Sequence, residues 1–316
     1  MIKLNENSKL IFDEMAAMNQ TLKIETHTMA NGSRVMDAGI YQSGSLEAGL
    51  LYSRVCMAGL GNISLSMLQY STFCMPAVQV YTSQPLLACM ASQYAGWKIS
   101  HGTFFAMGSG PARVKAKVED LFQEINYNDP GDEAVLTLEG SKIPSQELLD
   151  SLALQCKVKP EDVSVIIAPT ASLVGSVQIS ARVVEIGMHK LRELGFDLTK
   201  VEVGIGTAPV APVAKDDVHA IGRTNDCALY GGKVYYAVRA EDEEIETLIR
   251  QVPASASKDY GLPFYQTFKN YNYDFYEIDK LLFSPAQVTI NNLSTGRVFQ
   301  AGAINEHVLA ASLLGE

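Results

Sequence analysis

The chain has 316 residues, with 25 Lys and Arg against 35 Asp and Glu, a formal net charge of −10. With 47% hydrophobic and 19% charged residues it holds enough apolar material for a sizeable core and reads as neither disordered nor low-complexity; its length suggests two domains or one large one. No Lys/Arg run is present to neutralise the phosphates of a nucleic acid, and no apolar run approaches the ~20 residues of a membrane span. The opening residues lack the apolar core of a secretion signal, so a cytoplasmic protein with neither nucleic-acid nor membrane partners is expected.

In chain order, residues Asn7–Gln20 read as a helix and Leu22–His27 as an alternating strand, with Asn31-Gly32 as a hairpin turn whose residues tolerate φ > 0. Ser45–Met57 reads as a helix capped by Ser45, Ile63–Tyr70 and Ala77–Thr82 as strands, and Pro85–Tyr94 as a short helix. Ala134–Leu138 is predicted as a strand, Ser145–Gln155 as a helix and Val163–Ile167 as a buried strand. A long helix is predicted from Leu173 to Leu194, ending at Gly195, a favourable residue past a helix end. Val201–Ile205 follows as a strand, and Gly231-Gly232 is expected to join Tyr230 to the strand Val234–Arg239 as a hairpin. Glu241–Val252 reads as an acidic-started helix, two strands flank Asn291–Gly296, and a last helix starts at Asn305. Hairpins mixed with helices point to an α+β fold of two mixed α/β domains. The division is placed at 1–165 and 166–316, with exchange of segments between the halves expected.

Five cysteines (Cys56, Cys74, Cys89, Cys156, Cys227) and five histidines are scattered singly, without C-x-x-C or H-E-x-x-H spacing. Reduced, mostly buried thiols and no metal site are therefore expected.

The segment Ser176–Leu191 carries the most informative pattern. At about 100° per residue, Gln178, Arg182, Glu185 and His189 share an arc of roughly 60°, while most of the remaining circumference is apolar. Such a helix is largely buried, so its polar stripe faces either solvent or an internal cleft. On the surface an Arg182–Glu185 pair is worth under ~1 kcal/mol. In a cleft the guanidinium favours the ionised carboxylate while desolvation opposes it, which makes Glu185 a candidate general base.

Other segments are less specific. Gly108-Ser-Gly-Pro-Ala-Arg113 is a glycine-rich turn that can aim N–H groups at an anion beside the bidentate donor Arg113, or serve as a plain loop; it lacks the Gly-Lys-[Ser/Thr] ending of a nucleotide P-loop. Gly204-Ile-Gly-Thr-Ala-Pro209 places proline where a dinucleotide fingerprint needs its third glycine, which argues against nicotinamide binding. Asp216-Asp217, Gly222–Asp226 and Ser257–Pro263 collect polar groups in turn-forming sequence, whose ordinary role is to satisfy local backbone. The absence of a Gly-x-Ser-x-Gly elbow disfavours a conventional serine hydrolase.

Longer strings carry a resemblance. YAGWKI (94–99), GSGPAR (108–113), ASLVGSVQISARVVE (171–185), GTAPVAPV (206–213), GRTNDC (222–227), DYGLPF (259–264) and LFSPAQVTINNLSTG (282–296) together resemble the archaeal-type methenyltetrahydromethanopterin cyclohydrolases from end to end. The resemblance implies a cytoplasmic homotrimer of two mixed α/β domains with a pterin cleft between them. The implied reaction is reversible opening of a cationic N5,N10-methenyl bridge by water to give N5-formyltetrahydromethanopterin. The family's catalytic Arg and Glu fall on Arg182 and Glu185, the pair that the helical wheel isolates. No cofactor is implied, and a Lewis-acid metal would repel a substrate that is already cationic. Gly108, Ser109, Gly110 and Arg113, with Arg223, are expected to hold the anionic tail, and Asp226 or Asp259 the guanidine-like ring edge. Gln178, Thr207 and Asn225 complete the expected substrate contacts. The alternatives are a non-catalytic pterin-binding protein and a folate-type dehydrogenase/cyclohydrolase, the latter weakened by the missing dinucleotide fingerprint.

Overall fold

A computed structural model describes residues 2–275 and 277–315. In chain order the strands are β1 (Glu25–Thr28), β2 (Arg34–Asp37), β3 (Asn62–Gln69), β4 (Cys74–Thr82), β5 (Trp97–His101) and β6 (Phe104–Ser109). They continue with β7 (Ala134–Glu139), β8 (Val163–Ala168), β9 (Val201–Pro209), β10 (Lys233–Val238), β11 (Gln287–Asn292) and β12 (Val298–Gly302). These build two six-stranded mixed sheets, β1-β2-β8-β7-β6-β5 and β12-β11-β10-β9-β4-β3. The fold is α+β, and each sheet belongs to its own compact unit. The first unit takes the chain to Gly61 and again from Leu87 to Gln178; the second takes Asn62–Leu86 and the chain from Ile179 onward. The chain thus passes between units three times, where a division at 165 with exchanged segments was expected.

In the first unit β2, β8 and β7 run parallel and the outer strands antiparallel. Both faces of the central strands are covered, so Val-Ser-Val-Ile-Ile-Ala at 163–168 is buried at every position and reads as a continuous run rather than an alternation. Val35, Leu136, Val165 and Ile167 pack on one side with Leu148, Leu149 and Leu152 of the helix Gln146–Cys156. Met36, Val135 and Ile166 pack on the other with Phe12 and Met15 of the helix Leu4–Ala17 and Leu51 and Val55 of the helix Leu46–Cys56.

In the second unit β10 and β11 are parallel and all other neighbours antiparallel. A second core gathers Cys227 and Tyr230 of the helix Asp217–Gly231, Phe264 and Phe268 of the helix Phe264–Asn270, and Val308, Leu309 and Leu313 of the helix Glu306–Leu314.

Two expectations are corrected here. Gly231-Gly232 is not a hairpin: the helix Asp217–Gly231 runs straight into β10, and Gly232 (φ −75°) donates its N–H to the Ala228 carbonyl. The polar segment 216–226, expected as turn, is the body of that helix, started by the Asp216 carboxylate accepting the His219 N–H. Tertiary packing overrides the weak helix propensity of Gly222 and Asn225, since a Cβ at Gly222 would lie 2.8 Å from the Tyr265 Cβ.

Candidate active site

The long helix predicted over 173–194 is interrupted. Helices Leu173–Ser180 and Val183–Glu193 are separated by Ala181 and Arg182, at the passage from the first unit to the second. The Arg182 N–H bonds the Ile179 carbonyl, three residues back, and the Ser180 hydroxyl donates to the Pro209 carbonyl at 2.8 Å. The stripe of Gln178, Arg182, Glu185 and His189 therefore spans two helices.

Arg182 is the residue before the second helix, and Glu185 stands third in its first turn, where the helix dipole favours a negative charge. Their side chains are almost fully enclosed, at 8% and 6% exposure, which removes the surface-pair reading. The closest approach is 3.9 Å between Arg182 Nη1 and Glu185 Oε2, an electrostatic contact longer than a hydrogen bond. Burying both charges is tolerated because each lies against its opposite.

Glycines bring this turn onto the sheet. A Cβ at Gly204 would stand 2.6 Å from Val184 Cγ1, and one at Gly206 2.7 Å from Val183 Cγ1. The Gly204–Pro209 segment is thus a close-packing surface on β9. Tyr236 on β10 donates its hydroxyl to the Val184 carbonyl at 2.7 Å, and only a glycine at 187 leaves room for it: a Cβ there would lie 2.1 Å from that oxygen. Sequence reading missed Tyr236 and Gly187. The one available signal was a glycine inside an apolar helix, which marks a close approach. At the other end of the helix, buried Lys190 donates to the Leu281 carbonyl, and desolvation brings its ammonium down to about 8.

The remaining expected residues fall as follows. In the first unit, Gly108 and Ser109 are ladder residues of β6, and the Ser109 hydroxyl donates to the Gln93 carbonyl. Gly110 (φ +95°) donates its N–H to Ser92, so the turn presents no row of N–H groups to an anion. Arg113 is fully buried. Its Nε and Nη2 reach the Glu119 carboxylate at 2.8 and 2.7 Å, and Nη1 reaches the carbonyls of Met90, Ala91 and Ser92. The phosphate role expected for this turn is therefore corrected: its donors are spent holding the unit together. Gln178 is buried and donates to Glu139 at 3.3 Å.

In the second unit, Thr207 alternates with Gly206 along β9 and stands on the face away from the helix Val183–Glu193. Asn225 bonds its own helix at the Ile221 carbonyl. Asp226 is fully buried, accepting the Phe264 N–H at 2.8 Å and the Ser312 hydroxyl at 2.5 Å; burial raises its carboxyl to about 7. Asp259 accepts the Tyr271 hydroxyl and the Asp279 N–H. Both aspartates, expected at a ring edge, are ties between backbone segments. Among the described residues Arg223 makes two long bonds from Nη1, 3.5 and 3.4 Å to the Pro212 and Val213 carbonyls. Among the described residues no group of three His, Cys, Asp or Glu is placed to hold a metal ion, and no helix is long and apolar enough to cross a membrane.

Comparison with known proteins agrees along the whole chain. Residues 3–313 match the family described as cyclohydrolase (MCH). The methenyltetrahydromethanopterin cyclohydrolase of Methanothermobacter marburgensis is 46% identical over 317 residues, covering 99% of both chains. Those of Methanococcoides burtonii and Methanocaldococcus jannaschii are 44% and 45% identical, each covering 99% of this chain and 98% of the relative.

Proposed function

The chain belongs to the methenyltetrahydromethanopterin cyclohydrolase family, and from that premise we propose that it hydrolyses the cationic N5,N10-methenyl bridge with Glu185 as general base and Arg182 as its partner. The observation carrying the residue assignment is the enclosed Arg182–Glu185 pair at the first turn of a helix clamped onto β9.

The chemistry follows from the substrate. The bridging carbon of an amidinium-type cation is already electrophilic, so the protein must place one water, accept its proton and steady the oxygen as it binds carbon. Glu185 takes the proton as the carbon–oxygen bond forms. The neutral adduct then collapses: its hydroxyl gives up its proton as the carbon–oxygen double bond forms, the carbon–N10 bond breaks with its electron pair going to N10, and N10 takes up a proton, leaving the formyl group on N5. The sum is methenyl cation plus water giving formyl product plus one proton, and it runs equally in reverse. Before the water reacts, the Glu185 carboxylate complements the positive charge of the substrate. The Arg182 guanidinium lies against that carboxylate and supplies donors for the developing oxygen. The same reading includes a cytoplasmic homotrimer working without resident metal or nicotinamide.

The test follows the near-ultraviolet absorbance of the methenyl substrate in chelator-treated protein without added cofactor. Turnover separates an enzyme from a pterin-binding protein. Glu185→Gln should lower kcat by about 10²–10⁴ in protein shown to be folded, and it should also lower the thermal midpoint, because the enclosed Arg182 guanidinium loses its counter-charge. Arg182→Lys should also be damaging, since a single ammonium cannot reproduce the guanidinium fork. Glu193→Gln, at the far end of the same helix beside His189 and Arg192, is the control. A Glu185→Gln protein keeping more than about a tenth of the activity contradicts the assigned role.

A further inference from the structure

Charge is missing from one part of the molecule. Charged residues make up 19% of the chain, yet the 43 residues Val55–Trp97 contain no Asp, Glu, Lys or Arg. Their middle is the hairpin of β3 and β4 in the second sheet, with β3 at the sheet edge. Exposed edge strands are normally guarded by charges or proline. β3 has neither, and it leaves Leu65 39% and Met67 62% exposed.

The bare hairpin continues into an open sheet face. Gly204 and Gly206 turn toward the helix Val183–Glu193, so Val203, Ile205 and Thr207 point the other way. The register carries that outward direction across all six strands as one row: Asn62, Tyr81, Ile205, Tyr235, Thr289 and Gln300. Beyond Thr207 the helix Asp217–Gly231 closes on Pro209, but the row itself is open, with Tyr81 54% and Ile205 44% exposed. A solvated sheet face ordinarily carries polar and charged side chains of both signs. This row has no charge, and the rows on either side of it add one, Lys233. Tyrosine and apolar groups without charge are the composition of the buried centre of a protein interface.

The chemistry of the face selects its occupant. A partner of opposite charge would be met by a surface of one sign, which is absent here. Two copies of a chain with net charge −10 repel wherever their carboxylates meet, and this face brings none together. Its polar groups, the Asn, Gln and Thr side chains and the Tyr hydroxyls, each both donate and accept, so the face can satisfy a second face of the same kind. Six strands and three outward rows span about 25 Å by 20 Å, about 500 Å² per copy. Counted on both copies that is about 1,000 Å², the size at which an interface becomes specific.

We propose that other copies of this chain cover this face, with the β3–β4 hairpin and the row through Tyr81, Ile205 and Tyr235 forming the contact between subunits. The proposal rests on the homo-oligomer included in the reading above and adds where its copies meet.

Light scattering across a concentration series reads the assembly. The unmutated protein should form particles well above the mass of one chain. Ile205→Glu sets like charges against one another across the contact and should raise the concentration needed for assembly about a hundredfold or more. Ile205→Lys should do the same, and mixing the two variants should recover assembly in part, because opposite charges then meet; a misfolded variant has no such rescue. Phe105→Glu, at an exposed apolar position on β6 of the first unit, should leave the assembly unchanged. Ile205 variants that both assemble like the unmutated protein overturn the proposed surface and leave the homo-oligomer standing. An unmutated protein that stays a single chain at every concentration overturns both. Neither result depends on turnover of the methenyl substrate, so the catalytic reading is judged separately.

Discussion

Asp226 gives the sharpest quantitative test of how the second unit is held. The carboxyl is fully buried, it receives only neutral donors, and burial moves it from 3.8 to about 7. The unfolded chain releases this proton near 3.8 while the folded chain keeps it to about 7. The group's contribution to stability is therefore fully present below 3.8 and is lost as the pH rises through about 7, where the fold carries a buried charge. At ~1.4 kcal/mol per pH unit, that gap corresponds to about 4 kcal/mol at most. Asp226→Asn keeps the geometry: the amide oxygen still accepts the Phe264 N–H, and the amide nitrogen donates to the Ser312 oxygen. Because folded and unfolded chains differ by this proton all the way from 3.8 to about 7, the variant should gain on the unmutated protein by about 3 kcal/mol between pH 5 and pH 8, the share of that gap lying above pH 5. The assay is urea denaturation of both proteins from pH 5 to 8.5 at one protein concentration, comparing their difference so that other titrating groups cancel. Parallel pH curves, or a variant weaker at pH 8, would refute the reasoning.

Gly206→Ala should push the first turn of the helix Val183–Glu193 off β9, costing about 1–3 kcal/mol of stability. Because Arg182 and Glu185 ride on that turn, kcat should fall well beyond what the stability loss explains; a normal kcat in the folded variant would show that the close packing does not position the pair. Arg113→Met should destabilise the first unit by about 3–5 kcal/mol, since it leaves the Glu119 carboxylate and three carbonyls without their donor. Urea denaturation measures this, and a loss below about 1 kcal/mol would mean the guanidinium contributes little net stability there.

Signals that act within a few residues were legible in the sequence. Ser45, Ser145 and Asn305 cap their helices through side-chain oxygens that accept N–H groups three residues on, and the short apolar run at 163–168 is the buried strand it resembled. Features decided by distant partners were not. Nothing near Gly222 announces that Tyr265 packs against it, so Asp216-Asp217 and Gly222–Asp226 read as turn. Nothing near Arg113 announces Glu119 and the carbonyls of 90–92, so a structural arginine read as a phosphate ligand.

The candidate site shows the same division. Periodicity alone isolated Arg182 and Glu185, because an ion pair on an otherwise apolar surface stands out at any helical phase. Periodicity could not show that the helix breaks at Ala181-Arg182, since that depends on the Ser180 hydroxyl finding the Pro209 carbonyl on β9. The break changes the chemistry. In the middle of one long helix, Glu185 would face paired backbone and a dipole with no local end. In the first turn of a new helix it stands at the positive end of that helix's dipole, where a negative charge is favoured. The guanidinium at 3.9 Å adds an opposite charge beside the carboxylate, the arrangement that the general-base role proposed for Glu185 calls for. The glycines at 187, 204 and 206 and the Tyr236 hydroxyl then fix where the Glu185 carboxylate stands, a role for which composition and spacing carry no distinctive mark.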